Sequence, residues 1–209
     1  MAFGADASDS KQMSAVVDDV VGRFGRIDVL VNNVGIVPLG GPIELDEASW
    51  DQAFKVNVKS AFIACKHVLP HMIRQHRGSI INVSSVASIR SPATAYCAYT
   101  ASKAGLNGLS QSVAIQHARQ GVRCNALLLG LIDTPHVREQ LGATDPGGID
   151  ALIAARNRQS PTGAMGTVWD AAAAALFLAS DESAYVNGSE VVVDAGLHKR
   201  VGLFPPTEA

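Results

Sequence analysis

Short apolar runs alternate with longer amphipathic stretches along the chain. Each run is rich in β-branched residues or leucine and ends at polar residues or glycine, a pattern that predicts buried strands. The predicted strands cover residues 27–31, 79–83, 122–129 and 190–193.

Between these strands, apolar residues recur at the spacing of one helical face. The predicted helices cover residues 10–24, 47–75, 98–120 and 169–179. Polar residues that suit N-caps precede two of them, and glycines that suit chain reversals follow helices. The predicted caps are Ser8-Asp9 and Asp46, and the predicted reversals are at Gly25, Gly78 and Gly121.

The alternation of strand and helix predicts the class of fold. Such a chain forms right-handed crossovers and a parallel sheet with helices on both faces, which is an α/β fold. We expect one domain over residues 1–209, interrupted by an irregular insertion at about 133–166 that contains a short helix, 149–158. Ligands of open α/β sheets bind beyond the carboxyl ends of strands, so the insertion is either part of a ligand site or a plain surface excursion.

Composition narrows the possible partners. The 209 residues carry a formal net charge of −2, so no basic field exists to attract nucleic acid. Three scattered cysteines and dispersed histidines fit no metal site or disulfide framework. The longest strongly apolar stretch, 171–179, is too short to span a membrane, and the amino end does not resemble a secretory signal. We therefore expect a cytoplasmic protein with no metal, nucleic acid or membrane partner.

Candidate chemistry lies at the start of the predicted helix 98–120. Tyr99 and Lys103 are four residues apart, so they lie on one helix face, one turn from each other. A fixed ammonium favours the phenolate and lowers a nearby pKa by about 1–3 units. Tyr99 is therefore a candidate acid/base, whereas Tyr96, two turns from Lys103, is the weaker alternative.

The motifs around this pair occur in a characteristic order. They are Asp6, Asn32-Asn33-Val34-Gly35, Asn57, Ser84-Ser85, Tyr99-x3-Lys103, Gly130-Leu131-Ile132-Asp133-Thr134-Pro135 and Asp194-Ala195-Gly196. In this order and spacing the chain resembles the short-chain dehydrogenases/reductases of the single-domain type, from about residue 4 to residue 196. The resemblance implies a Rossmann-like, doubly wound parallel sheet.

The resemblance also implies catalytic roles. Tyr99 resembles the acid/base, and Ser85 resembles the hydroxyl that steadies the substrate oxygen. Lys103 resembles the residue that lowers the pKa of the tyrosine and holds the nicotinamide ribose. Asn57 resembles the residue that holds a water in a proton relay. These residue types suit the chemistry, because hydride transfer to a ketone builds negative charge on oxygen.

Cofactor contacts follow from the same resemblance. Asn33, Val34 and Gly35 match a turn where the backbone approaches the cofactor, and Asp6 matches the acidic residue near the adenine. Ile132 and Thr134 match contacts to the nicotinamide carboxamide. The implied cofactor is NAD or NADP, and the residue that would distinguish them is not in this sequence.

One departure from the family pattern is large. No Gly-rich strand-to-helix turn, which would cradle a pyrophosphate, precedes Asp6. We expect that roughly 40–50 residues, with the first two strands of the family's sheet, are missing relative to the family. The next strand would then lie at residues 1–5 without a neighbour, leaving an apolar edge.

Two interpretations of function follow. In the first, the chain is an NAD(P)-dependent oxidoreductase of secondary alcohols or ketones, acting as a homodimer or homotetramer through helices 47–75 and 98–120. In the second, it is a non-catalytic fragment or a binding partner of a full-length relative. The residues expected to line the pocket (36–41, the insertion and the surroundings of Ala93) are mainly apolar, which favours an uncharged small-molecule carbonyl substrate.

Overall fold

A computed structural model describes residues 1–91, 94–141 and 147–202, without the side chains of residues 140 and 141. Ala93, expected near the pocket, and residues 142–146 of the insertion lie outside the described residues. The described chain forms four parallel strands in the order β1-β2-β3-β4. They are β1 (Val29–Asn32), β2 (Gly78–Ser85), β3 (Val122–Leu129) and β4 (Glu190–Val193). The predicted parallel α/β sheet is confirmed.

The strand pairing brings functional segments to one edge of the sheet. Asn32 pairs with Asn82, and Ser85 pairs with Leu129 in the next strand. Because the strands are parallel, the segments that follow β1, β2 and β3 leave the sheet at the same edge. The predicted site residues that follow these strands therefore lie on one side of the molecule.

Within the described residues, six α-helices connect and cover the strands, close to the predicted positions. They are α1 (Ser10–Phe24), α2 (Glu47–Phe54), α3 (Ser60–Gln75), α4 (Cys97–His117), α5 (Gly148–Gln159) and α6 (Val168–Ala179). Asp9 and Asp46 are the N-caps of α1 and α2, as predicted, since their carboxylates accept main-chain N–H groups. Among the described helices, none is long and apolar enough to cross a membrane.

The two faces of the sheet carry separate apolar clusters. On one face, Val17 of α1, Met72 of α3 and Val113 of α4 pack together with Ile80 and Cys124 of the central strands. The second face carries a cluster of three buried residues, Ile81, Leu127 and Leu178, the last from α6. Both faces are thus covered, as expected of a parallel sheet.

The predicted helix 47–75 is interrupted. A π-helical turn, Lys55–Lys59, separates α2 from α3 and contains the buried side chain of Asn57. Such turns occur inside helices at functional sites, where the wider backbone ring redirects side chains. The amphipathic pattern continues across this turn, so the sequence gives no sign of the interruption.

Two predictions about the backbone are wrong. Residues 1–5 form no strand and are exposed, because no neighbouring strand is there to satisfy their backbone hydrogen bonds. Gly78 is the first residue of β2 rather than a reversal. His76 instead ends α3 in the left-handed conformation, with φ of 50°.

Candidate active site

Ser85 ends β2 at the carboxyl edge of the sheet. Its hydroxyl caps the following 3-10 turn, where its Oγ accepts the N–H of Ala87 at 3.1 Å. The same side chain lies near the phenol of Tyr99 and acts to lower its pKa. The strand end therefore holds the hydroxyl against α4. Ser84 points elsewhere, since its Oγ donates to the main-chain oxygen of Lys103 at 3.3 Å.

Lys103 lies one turn along α4 from Tyr99, as the spacing predicts. Its Nζ is 5.8 Å from the centroid of the Tyr99 ring. The ammonium donates to the main-chain oxygen of Val83 at 2.8 Å. The side chain is buried, and burial lowers the pKa of Lys103 to about 8.

The pKa of Tyr99 differs from the sequence expectation. Burial raises it above the usual value of a phenol, and the nearby hydroxyl of Ser85 offsets only part of that rise. The charge of Lys103, directed to Val83, does not lower it as the helix spacing led us to expect. In this structure Tyr99 is therefore a neutral phenol, which retains a proton to donate.

Tyr96, the weaker candidate, packs against Tyr99. The two ring centroids are 5.6 Å apart at an interplanar angle of 82°, an edge-to-face contact. Burial also raises the pKa of Tyr96. Because Ser85 acts on the pKa of Tyr99 and not on that of Tyr96, the arrangement favours Tyr99 as the acid.

Asn57 ties the π-helical turn to the segment after β1. Its Oδ1 accepts the N–H of Ile36 at 2.8 Å, and its Nδ2 donates to the Ile36 oxygen at 3.0 Å. Nδ2 also donates to Ser102 Oγ at 2.9 Å, and Ser102 in turn donates to the oxygen of Tyr99. This buried amide thus joins the β1 loop to the first turn of α4.

Gly35 lies where the β1 loop passes Lys103. A Cβ at Gly35 would be 3.3 Å from both Asn57 Oδ1 and Lys103 Nζ. The absent side chain leaves the backbone open beside the ammonium, and Gly35, Asn33 and Val34 are all exposed. This surface suits the ribose end of a dinucleotide, which needs close backbone approach and hydrogen-bond donors.

The other predicted cofactor residues make local contacts. Asp6 is exposed, and its carboxylate accepts the N–H and hydroxyl of Ser8 at 2.8 and 2.7 Å. Ile132 is buried and bridges to Gly166, whereas Thr134 Oγ1 accepts the N–H of Val137. The structure brings together Gly35, Asn57, Ser85, Tyr99 and Lys103. The described contacts of Asp6, Ile132 and Thr134 do not include these five.

Known proteins share this arrangement of elements. A sequence model of a family described as enoyl-(acyl carrier protein) reductase matches residues 1–198. Dehydrogenase/reductase SDR family member 6 of Rattus norvegicus is 41% identical over 180 residues, covering 86% of this chain and 73% of that protein. The chain belongs to the short-chain dehydrogenase/reductase family.

Solved structures of dehydrogenases superpose closely on the chain. Aldohexose dehydrogenase of Thermoplasma acidophilum gives a TM-score of 0.90 at 33% identity, covering 98% of this chain and 80% of that one. Gluconate 5-dehydrogenase of Burkholderia cenocepacia J2315, solved with NADP and tartrate, gives a TM-score of 0.85 at 31% identity. The match covers 94% of this chain and 74% of that one.

Coverage is similar among curated relatives. 3-Oxoacyl-(acyl-carrier-protein) reductase FabG of Thermotoga maritima is 38% identical over 192 residues, covering 92% of this chain and 74% of that protein. The chain thus spans about three quarters of these family members and aligns with their carboxyl-terminal part. This agrees with the expected absence of the Gly-rich segment from the sequence.

Three features of this short-chain dehydrogenase/reductase site were not predicted. Ser102 and the main-chain oxygen of Val83 orient Asn57 and Lys103, and only tertiary packing could have revealed them. Arg156 of α5 is the third. Its charge acts to lower the pKa values of Tyr96 and Tyr99, against the larger effect of burial. The sequence offered one indication of this role for Arg156, which is that a basic residue lies in the predicted helix of the insertion.

Proposed function

We propose that the chain is an oxidoreductase that transfers hydride between a nicotinamide cofactor and a secondary alcohol or ketone. The observation that carries this proposal is the ammonium of Lys103 5.8 Å from the centroid of the Tyr99 ring, with Ser85 close enough to the phenol to lower its pKa. Membership of a dehydrogenase/reductase family supports the same reaction class.

Each of these residues has a distinct task in the proposed reaction. The nicotinamide, when bound, supplies or accepts the hydride. In the reducing direction the Tyr99 hydroxyl gives its proton to the substrate oxygen. The Ser85 hydroxyl donates a second hydrogen bond to that oxygen while negative charge develops there. Lys103 keeps its ammonium at neutral pH, since its lowered pKa of about 8 still lies above 7, and this ammonium would bind the cofactor ribose.

The proposed cofactor contacts follow the loop geometry. Gly35 leaves the β1 loop open beside Lys103, whose ammonium would hold the ribose hydroxyls, and the exposed Asn33 and Val34 continue this surface. Ile132 and Thr134 are proposed to face the nicotinamide carboxamide, and Asp6 the adenine. The cofactor is NAD or NADP, as in the gluconate 5-dehydrogenase structure that contains NADP.

We also propose that the chain assembles as a homodimer or homotetramer through α2, α3 and α4. An open groove of about 800 Å³ lies between these helices. Its lining includes Phe62, which is half exposed, and Ile115 of α4 is 77% exposed. A second copy that covers these side chains would remove apolar area from water.

A second candidate function is non-catalytic binding to a full-length relative. Among the strands that the structure describes, β1 is paired with β2 alone, and its Val29 and Val31 are 38% and 48% exposed. An unpaired edge of this kind can accept a strand from another chain.

Cofactor binding and turnover separate these candidates. Titration of the chain with NADH and NADPH is expected to change the fluorescence of the bound nucleotide, and 2-pentanone is expected to be reduced. Tyr99→Phe should abolish turnover but keep nucleotide binding, while the matched Tyr96→Phe variant should retain turnover. A folded chain that binds neither nucleotide would contradict the oxidoreductase and favour the binding partner.

A further inference from the structure

We propose that Asn107 is a positioning residue of the site, because it holds Ser88 in the orientation that fixes Ser85. This inference rests on the proposed oxidoreductase function and adds a residue that acts on the same hydroxyl. Asn107 has no contact with the reacting atoms in this proposal, and its effect on them passes through Ser88 and Ser85.

Asn107 lies on the face of α4 that carries the candidate acid. Tyr99, Lys103 and Asn107 follow one another at intervals of four residues, so their side chains lie one turn apart along the same helix face. The side chain of Asn107 is buried, with 4% of the residue exposed. A buried carboxamide is unfavourable unless it forms hydrogen bonds, so its partners indicate what it does.

The partner of Asn107 is the turn that follows β2. Asn107 Nδ2 donates to Ser88 Oγ at 3.0 Å, and Ser88 Oγ donates to the main-chain oxygen of Ser85 at 2.6 Å. A serine hydroxyl has one proton, and Ser88 uses it on Ser85. The amide of Asn107 must therefore present its donor to Ser88 rather than its oxygen. The two hydrogen bonds run in one direction, from α4 to the end of β2.

This orientation leaves the oxygen of the amide without a partner. Within the part of the chain that the structure describes, Asn107 Oδ1 is buried and accepts no hydrogen bond. An unsatisfied buried acceptor lowers stability, and an apolar side chain of similar size would avoid that penalty. Stability alone therefore does not account for an amide at position 107, whereas its hydrogen bond to Ser88 does.

The turn holds Ser85 at two atoms. Ser85 Oγ accepts the N–H of Ala87 at 3.1 Å, while the main-chain oxygen of Ser85 accepts the hydroxyl of Ser88. Because Oγ is the acceptor in the first of these bonds, its own proton is left to donate to a substrate oxygen. The turn is a single 3-10 turn, Val86–Ser88, whose hydrogen bonds are weaker than those of an α-helix. Its hydrogen bond to Asn107 therefore determines how firmly the Ser85 hydroxyl is held.

The first test is a titration that needs neither cofactor nor substrate. Absorbance of the phenolate against pH, compared with Tyr99→Phe, measures the pKa of Tyr99, which the hydroxyl of Ser85 acts to lower. Asn107→Leu and Ser88→Ala should each raise this pKa, because Ser85 loses its support. In a chain that already carries Ser85→Ala, neither substitution should raise it further, since the effect passes through that hydroxyl.

Ser110→Ala is the matched control for general damage to α4. Ser110 is also buried on this helix, where its Oγ accepts Nδ2 of Asn82 at 2.8 Å and donates to the main-chain oxygen of Leu106 at 2.8 Å. Its loss should lower the melting temperature and leave the pKa of Tyr99 unchanged. Ser88→Ala examines the same connection as Asn107→Leu without altering α4, so the titration does not depend on one variant.

Three results of the titration would overturn the proposal. The first is an unchanged pKa of Tyr99 in both Asn107→Leu and Ser88→Ala. The second is an equal rise with and without the hydroxyl of Ser85. The third is the same rise in Ser110→Ala, which would show that any loss of buried hydrogen bonds in α4 has this effect.

The second test measures the reduction of 2-pentanone. Asn107→Leu and Ser88→Ala should lower kcat roughly 3- to 10-fold and change KM by less than about twofold, because the hydroxyl of Ser85 acts on charge that develops only in the transition state. Ser88→Thr keeps the hydroxyl and should recover most of the activity that Ser88→Ala loses. A raised KM with an unchanged kcat, or equal losses in Ser88→Thr and Ser88→Ala, would contradict the positioning role.

The two tests distinguish the failure of the positioning role from the failure of the reaction. If the titration depends on Asn107 and Ser88 as expected but no ketone is reduced, the positioning role stands and the proposed oxidoreductase function fails. If 2-pentanone is reduced and neither kcat nor the titration depends on Asn107, the oxidoreductase stands and the positioning role fails.

Discussion

The side-chain amide of Asn57 holds both main-chain polar groups of Ile36, accepting at 2.8 Å and donating at 3.0 Å. These two hydrogen bonds resemble those between paired residues of neighbouring β-strands, although one partner here is a side chain in a π-helical turn. Because Ile36 directly follows Gly35, this contact sets the position of the turn that passes Lys103.

Asn57→Ala should loosen this turn. The change leaves a main-chain N–H and C=O of Ile36 without their partners, so we expect a loss of about 1–3 kcal/mol in the free energy of unfolding. Urea denaturation measures this loss. Asn33→Ala, at an exposed position of the same loop, should change stability by less than about 0.5 kcal/mol. Equal effects of the two substitutions would show that Asn57 does not anchor the loop.

Lys103→Met should change how stability depends on pH. Burial lowers the native pKa of Lys103 from 10.5 to about 8. Between these values the unfolded chain binds the extra proton, so the unmodified protein gains stability relative to Lys103→Met as pH rises from 8 to 10.5. The gain is on the order of 3 kcal/mol at most, and below pH 8 the difference should be constant.

The difference between the two proteins is the quantity to measure, by denaturant unfolding at several pH values. Burial raises the pKa values of Cys65 and Tyr99, which lowers stability at high pH, but both variants share these groups. Lys66→Met, at an exposed position of α3, serves as the control. A flat difference across pH 8 to 10.5 would contradict the lowered pKa of Lys103.

Ser85→Ala should raise the pKa of Tyr99 further, because the nearby hydroxyl of Ser85 favours the phenolate. The chain has only three tyrosines, so absorbance of the phenolate against pH can resolve this group by comparison with Tyr99→Phe. Ser84→Ala, whose hydroxyl donates to a main-chain oxygen instead, should leave the titration unchanged. An unchanged or lower pKa in Ser85→Ala would show that the Ser85 hydroxyl does not favour the phenolate.

Two glycine substitutions should have opposite effects on stability. Alanine at Gly22, in the last turn of α1 with open space around it, should stabilise by up to about 0.5 kcal/mol through helix propensity. Alanine at Gly78 would place its Cβ 2.8 Å from Cβ of the buried Met72, and we expect a loss of about 1–3 kcal/mol. Thermal unfolding measures both changes, and a stabilised Gly78→Ala would refute the close contact.

The sequence was informative where local chemistry decides the structure. Helix α1 and strand β3 match their predicted bounds, because a polar cap, regular periodicity and a terminal glycine act over a few residues. The order and spacing of the motifs also identified Ser85, Tyr99 and Lys103 as candidate site residues, and the fold brings these three together. Their proximity follows from parallel strands that end at one edge.

The remaining features depend on the environment that the fold creates. The raised pKa of Tyr99 is caused by burial, which the helical spacing of Tyr99 and Lys103 does not report. The interruption around Asn57 depends on a partner twenty-one residues away along the chain. The strand expected at residues 1–5 needs neighbouring strands, so its own apolar residues could not establish it.

The π-helical turn has a consequence for insertions and deletions in the gene. Its extra residue lets α2 and α3 continue in sequence while Asn57 points inward. Loss of a single codon between α2 and α3 would restore ordinary winding and rotate the flanking side chains by about 100° relative to one another. Such a deletion keeps the reading frame and can leave Asn57 itself in place. The side-chain amide of Asn57 would nevertheless no longer face Ile36 in the loop after β1.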